Sequence, residues 1–151
     1  MNISTTRFGD IPVDETRIIR MKEGMLGFEH LKRYILITQD SETPFMWLQS
    51  VDDGSLAFVV IHSFVVKADY EPVVSDEETQ LLEMPASAGP EDVVVLSVVT
   101  IRSDPFAVTA NLRAPIVVNV KKMLAKQVVL AEGEYPVQYP LTAPHTGLTK
   151  N

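Results

Sequence analysis

The side chains of this chain that could carry chemistry are its carboxylates, three histidines and an arginine set at a break between two apolar runs. The densest carboxylates are Asp52-Asp53 and Asp76-Glu77-Glu78. Two carboxylates can serve as general acid and base when they face one cleft and their surroundings push their pKa values apart. Here the first pair belongs to Asp52-Asp53-Gly54-Ser55, a turn by composition, and the second group follows Ser75 at a helix start. Solvated carboxylates at both places are explained by turn and cap chemistry alone. His30, His62 and His145 are widely separated, none has a second ligand at metal spacing, and there is no cysteine. Thiolate chemistry, disulfides and cysteine zinc sites are therefore excluded, and no histidine metal site is indicated. No Gly-x-Ser-x-Gly, phosphate-cradling glycine loop or Gly-x-Gly-x-x-Gly occurs. These residues read as those of a protein that is not an enzyme and that needs no cofactor.

Charge narrows the partners. Thirteen Lys and Arg against twenty Asp and Glu leave a formal net charge of −7. A nucleic-acid binder needs clustered cations to displace phosphate counterions, so direct RNA or DNA binding is not expected. An acidic surface suits a basic protein partner better. No apolar run approaches the length of a membrane span, and Met1-Asn2-Ile3-Ser4 has neither a basic nor an apolar leader segment. The expectation is a cytoplasmic protein without a membrane association.

The elements that must position these side chains are mostly strands. The segment 110–119, Ala-Asn-Leu-Arg-Ala-Pro-Ile-Val-Val-Asn, reads as a strand that stops and restarts, because Pro115 cannot donate to a ladder and forces Ala114 into an extended conformation. Asn111 and Asn119 close its ends and are expected to satisfy buried backbone groups, while Arg113 sits at the break. Upstream, Gly9-Asp10 predicts a two-residue hairpin turn. Residues 17–21 predict a short strand, Gly24 to Glu29 a tight turn pinned by burial of Met25 and Leu26 between its two glycines, and 29–32 a single helical turn. Strands follow over 33–38, 45–50 and 56–61, the last apolar on both faces and hence central. Residues 65–74 read as an edge or an irregular crossing. Ser75 and Glu78 form a capping box, with the helix running to about Met84 and expected to exceed two turns. The strongest strand is 93–101, rich in β-branched residues. A turn at Ser103-Asp104-Pro105 returns the chain through 106–112, a helical connection is expected over 121–124, and another strand over 127–130. Many short strands with one or two helical pieces predict a mainly β fold: a compact antiparallel β-barrel-like single domain, with one short helix and one or two helical turns. The domain is expected over 1–141, with 142–151 as a polar, disordered C-terminal tail.

The ordered blocks Gly24-Met25-Leu26-Gly27-Phe28-Glu29, Pro44-Phe45-Met46-Trp47-Leu48-Gln49-Ser50, Leu56-Ala57-Phe58-Val59-Val60, the segment 110–119, Ala125-Lys126-Gln127-Val128-Val129-Leu130 and Tyr139-Pro140-Leu141 resemble the FliW family of flagellar assembly factors. The resemblance runs from Ile3 to about Leu141 and does not reach the tail. It implies a β-barrel-like, non-catalytic regulator that alternately binds flagellin and the translational repressor CsrA in the cytoplasm. Antagonism of CsrA in this family is allosteric, which requires the bound repressor to have a lower RNA affinity by linkage. A stoichiometric titrant of this kind works as a monomer.

Candidate partner-binding residues follow from the resemblance joined to the residue reading. Asp52, Asp53, Asp69 and Glu71, at turn and edge positions, are expected to form an acidic surface that steers a basic repressor. Phe28, Phe45 and Trp47 are candidates for an apolar groove that takes an amphipathic flagellin helix, each being equally explicable as core. Arg113 is the remaining candidate contact. A small-molecule-binding barrel and an enzyme using a carboxylate pair stand as the alternatives.

Overall fold

The fold was obtained as a computed structural model, which describes residues 1–39, 41–131 and 133–141. In chain order the strands are β1 (Asn2–Thr5), β2 (Gly9–Pro12), β3 (Ile19–Met21), β4 (Arg33–Ile37), β5 (Met46–Ser50), β6 (Ala57–His62), β7 (Val93–Ser103), β8 (Phe106–Ala110), β9 (Ile116–Asn119), β10 (Leu124–Gln127) and β11 (Tyr139–Pro140). Two short α-helices, α1 (Ser63–Val66) and α2 (Asp76–Leu81), lie between β6 and β7.

Strands β3 through β7 pair in sequence as an antiparallel meander, β7 then pairs with β9, β9 with β10, and β10 returns to β3. The result is a closed barrel of seven strands. A ring with an odd number of strands cannot alternate direction all the way round, so one junction has to be parallel. It is β3–β10, in the register Arg20↔Leu124 and Met21↔Ala125. The sequence expectation of a mainly β barrel is met, with this one parallel closure in an otherwise antiparallel ring. Closure removes the exposed edges that an open sheet of this length would present.

Alternation along the strands divides the apolar residues into an inner and an outer set. Tyr34, Met46, Leu48, Val60, Leu96, Ile116 and Val118 pack together inside the barrel. Each buried Val, Leu, Ile or Met side chain of this set contributes on the order of 1.5–3 kcal/mol. The opposite faces of β6, β7 and β9 supply Ile61, Val95, Val99 and Val117 to an outer cluster, covered by Val66 of α1, Tyr70, Leu82 and the C-terminal Leu130 and Leu141. A third cluster, Val13, Ile18, Ile35 and Val51, holds the β1–β2 hairpin against the wall.

Several local expectations need correction. Hairpin β1–β2 turns at 6–8, not at Gly9-Asp10, since Thr5 pairs with Gly9 and Ser4 with Asp10. The Thr5 hydroxyl shapes this turn, accepting from the Phe8 N–H and donating to the Gly9 carbonyl, both at 2.8 Å. Residues 29–30 form a turn and no helix. Of 65–74, only Val65 and Val66 depart from expectation in being helical; the chain after α1 makes the expected irregular crossing and joins no sheet. The capping box of Ser75 and Glu78 forms as expected, but α2 has six residues and does not exceed two turns. Its C-terminal end is set by Glu83, which takes φ 56 and turns the chain away from the helical path. Of the 121–124 segment, 121–123 form a turn, nucleated by the Asn119 side chain, and the strand after it is 124–127 in place of 127–130. The tail expected over 142–151 lies outside the described residues.

Candidate functional site

The break at Pro115 is built as a fixed corner. Asn111 Oδ1 accepts from the Arg113 and Ala114 N–H groups, both at 3.0 Å. Beyond the break, the Pro115 carbonyl accepts from Val128 N–H and the Arg113 carbonyl from Leu130 N–H, each at 2.8 Å. Asn119, which is buried, donates to the Leu82 carbonyl at 2.8 Å and to the Glu83 carbonyl at 3.4 Å, and accepts from the Lys121 and Lys122 N–H groups. Both asparagines thus serve the backbone. Gln127, also buried, joins this corner to the 24–28 turn by accepting from Leu26 N–H at 2.9 Å and donating to the Ala114 carbonyl at 3.1 Å.

The acidic candidates fall into two groups. Asp52 takes a two-point bond from Arg33, Nε to Oδ2 at 3.1 Å and Nη2 to Oδ1 at 2.6 Å, and that bond holds its carboxyl below the usual range. Asp53 caps its own turn, accepting from the Ser55 hydroxyl and N–H, the hydroxyl bond first in lowering its pKa. Asp69 is paired with Lys67 at 2.8 Å, which lowers its carboxyl likewise. Glu71 is exposed, and its backbone N–H donates to the Tyr135 hydroxyl at 3.1 Å. Two of the four charges are therefore opposed by a cation at contact distance.

A third acidic group surrounds Lys126, whose Nζ lies 3.3 Å from Glu78 and 3.7 Å from Glu23. With Ser75, Glu77 and Leu81 these residues line a cavity of about 330 Å³. Burial acts upward on the Glu78 carboxyl, but the bonds from Ser75 and Lys126 together outweigh it and its pKa is lowered. A carboxyl held ionised and already occupied by a cap and an ion pair is placed to tie α2 to β10, not to donate a proton. Among the described residues no group of three or more His, Cys, Asp or Glu could hold a metal ion, and no helix is long and apolar enough to cross a membrane.

The aromatic candidates separate too. Phe28 is half-buried, edge-on to Phe58 with centroids 5.5 Å apart, and packs against the barrel's inner cluster. Phe45 packs against the outer cluster. Trp47 is half-buried on the wall, with Phe8 edge-on at 5.9 Å and the Arg7 guanidinium 4.2 Å over its ring. Only Trp47 lies beside an apolar groove, through Phe8.

That groove was not visible in the sequence. The β3–β4 ladder is only two pairs long, Ile19↔Tyr34 and Arg20↔Arg33, because the residues before Ile19 leave the strand in a 3₁₀ turn, Glu15–Arg17. The outer half of β4 consequently runs on without β3 beside it. Phe8, Ile11, Val13, Ile35, Leu36 and Ile37 line a cavity of about 360 Å³ there. Leu36 and Arg17 are shared with a second apolar cavity of about 140 Å³, which runs on to Val94, Val118 and Met123. The run Ile35-Leu36-Ile37 was the available signal, since three consecutive apolar residues on a strand must find cover on both faces, and Leu36 remains 36% exposed.

Fold and surface together define the class: a small closed β-barrel protein with a side-chain-filled interior and an apolar groove where its wall parts. The family model described as FliW protein matches residues 2–141. Flagellar assembly factor FliW of Syntrophus aciditrophicus is 49% identical over 141 residues, covering 93% of this chain and 87% of that protein. The factor of the same name from Geobacter sulfurreducens is 46% identical over 140 residues, covering 93% and 86%. A crystal structure of the flagellar assembly factor FliW superposes with a TM-score of 0.82 at 35% identity, covering 95% of this chain and 99% of that one. The chain belongs to the FliW family.

Proposed function

We propose that this chain acts in flagellar assembly as a non-catalytic cytoplasmic monomer that alternately binds flagellin and the CsrA-type translational repressor, antagonising the repressor allosterically. The observation that carries the reading is the apolar groove centred on Leu36. An amphipathic helix seats its apolar stripe in such a groove, and flagellin termini are expected to present one as monomers. A filled interior, with Met21, Tyr34, Leu48 and Leu96 at most 1% exposed, favours a partner on the outside over a ligand within the barrel. The acidic balance supports a basic second partner.

Leu36→Asp tests the groove. Because Leu36 is partly exposed, the variant is expected to fold and to lose roughly tenfold or more in flagellin affinity, as removal of a central apolar anchor does. Calorimetric affinity equal to that of the parent would place flagellin elsewhere. Replacing Asp52, Asp53, Asp69 and Glu71 together by Asn or Gln is expected to slow association with the repressor at low salt. On-rates that do not change at low ionic strength would remove these carboxylates from the encounter.

A further inference from the structure

Arg113 is a cation without a counter-charge in a protein that is otherwise rich in carboxylates. Among the described residues no carboxylate lies within ion-pair distance of it, which is equally true of Arg7, Arg17, Arg20, Lys32 and Arg102; what sets Arg113 apart is a buried nitrogen. Its Nε is sealed from solvent and has no acceptor. The side chain as a whole is only half-buried, so its terminal end remains open. A guanidinium held in this way is stripped of part of its hydration without receiving a protein acceptor in exchange, which is a cost that structures rarely leave standing.

The surroundings are built and not loose. Arg113 and the loop residues Gly133, Glu134, Tyr135, Pro136 and Val137 line a cavity of about 360 Å³. Its floor is the corner already described, fixed by Asn111 Oδ1 and by the bond from Leu130 N–H to the Arg113 carbonyl. Its wall is tied to the floor by Leu112 N–H donating to the Pro136 carbonyl at 3.1 Å. Tyr135 stands edge-on to Tyr70 with centroids 4.7 Å apart, and the Tyr70 hydroxyl donates to the Leu112 carbonyl. Floor and wall therefore hold each other, and the cavity is present before any ligand arrives.

We propose that this cavity is a binding site for a carboxylate of a polypeptide partner, received end-on by the terminal nitrogens of Arg113 between the 112–114 corner and the 133–137 loop. A planar guanidinium matches a carboxylate in a two-point fork. A single cation, with Glu134 also lining the site, suits a singly charged planar anion and disfavours a phosphate dianion. The carboxylate can be the end of a chain or an acidic side chain. The site does not depend on which partner the groove takes.

The Nε–H, shielded from solvent, is expected to exchange slowly with water and so to supply its own reporter. The ¹⁵N-labelled full chain is titrated, at constant ionic strength, with N-acetylglycine as a chain-end carboxylate, with N-acetyl-aspartic acid α-methylamide as a side-chain carboxylate, and with inorganic phosphate and chloride. The expected result is a saturable shift of the Arg113 Nε–Hε signal and of the Gly133, Glu134, Tyr135 and Val137 amides with at least one carboxylate, the responding probe identifying the source. Arg113→Gln should abolish the loop shifts, and Arg113→Lys, which keeps the charge and loses the fork, should weaken them roughly fivefold or more. If Arg113→Gln does not fold, the lysine variant decides. The proposal is overturned if neither carboxylate gives a saturable shift, if phosphate or chloride matches them, or if Arg113→Lys binds as well as the parent.

Discussion

Gly24→Ala is expected to lower the free energy of unfolding by about 2–5 kcal/mol, the sum of roughly 1–2 for a side chain in the left-handed region and roughly 1–3 for overpacking. Gly24 has φ 70, and a Cβ there would sit 2.6 Å from the Glu29 Cα and 2.7 Å from its carbonyl oxygen. Both are backbone atoms, so the contact cannot be relieved by a rotamer change. The turn that must move carries Met25 and Phe28, which pack into the barrel's inner cluster, and Leu26, which Gln127 holds by its N–H. Gly27, three residues on, has φ 87 but nothing within 4 Å of the added Cβ. Gly27→Ala should therefore show only the conformational share, about 1–2 kcal/mol. Urea denaturation of the two variants checks this directly, and equal midpoints would mean that the close approach to Glu29 has no energetic weight.

Asn119→Ala is expected to cost about 2–4 kcal/mol, the range for leaving a buried acceptor without a partner and losing a further hydrogen bond. Leu82 is fully buried, so its carbonyl cannot turn to water when the Asn119 amide is removed. The Lys121 and Lys122 N–H groups, on exposed residues, can recover water in its place. The loss should appear as faster hydrogen exchange in the last turn of α2, where Leu82 N–H donates to the Glu78 carbonyl, together with a lower urea midpoint. Asn111→Ala provides the comparison. Asn111 is half-buried and uses one oxygen for two N–H groups of the corner, so about 1 kcal/mol is expected. A larger effect at Asn111 than at Asn119 would show that the corner, and not the tie to α2, is the weaker point of the fold.

These two positions also mark where local pattern carried information. Ser75 and Glu78 announce a helix start because both partners of a capping box lie within one turn of each other, and the box forms. Nothing within 76–84 requires that helix to stop, so its local pattern runs on beyond the observed end at Leu81. Its end coincides with Glu83 at φ 56 and with carbonyls held by Asn119, 36 and 37 residues further along. Residues 121–124 look helical by composition, yet the Asn119 oxygen takes the Lys121 and Lys122 N–H groups and makes the turn first. The strand assignments through β4, β5, β6 and β7 were readable since period-two apolar patterning acts over a few residues and closure of the barrel does not change it.

The candidate site was legible only in part. Trp47 was singled out as a possible contact, and it does stand beside the groove, but Phe28 and Phe45 pack against the inner and outer clusters. Aromatic type alone cannot distinguish these fates, because the same apolar area can be buried by the protein itself or by a partner. The charges behaved likewise: Asp52 and Asp69 carry formal charge in the sequence, and their pairing with Arg33 and Lys67 is a fact of tertiary neighbourhood.

Composition, alternation and the order of the motif blocks were by themselves sufficient for the family, the mainly β character, the capping box and the backbone-serving roles of Asn111 and Asn119. Apart from the bonds of Asn119 to the distant Leu82 and Glu83 carbonyls, these rest on interactions within a few residues or on patterning along the chain. The tertiary structure alone decided the parallel β3–β10 junction, the groove at Leu36 and the isolation of Arg113. The first follows from counting strands round a closed ring. The second arises because the 3₁₀ turn ending at Arg17 draws the chain away from β4, bringing Arg17, Leu36 and Met123 to one cavity. The third depends on which carboxylates, among the described residues, the folded chain fails to bring near one arginine. Absence of a contact is a property of the whole packing, and no short stretch of sequence contains it.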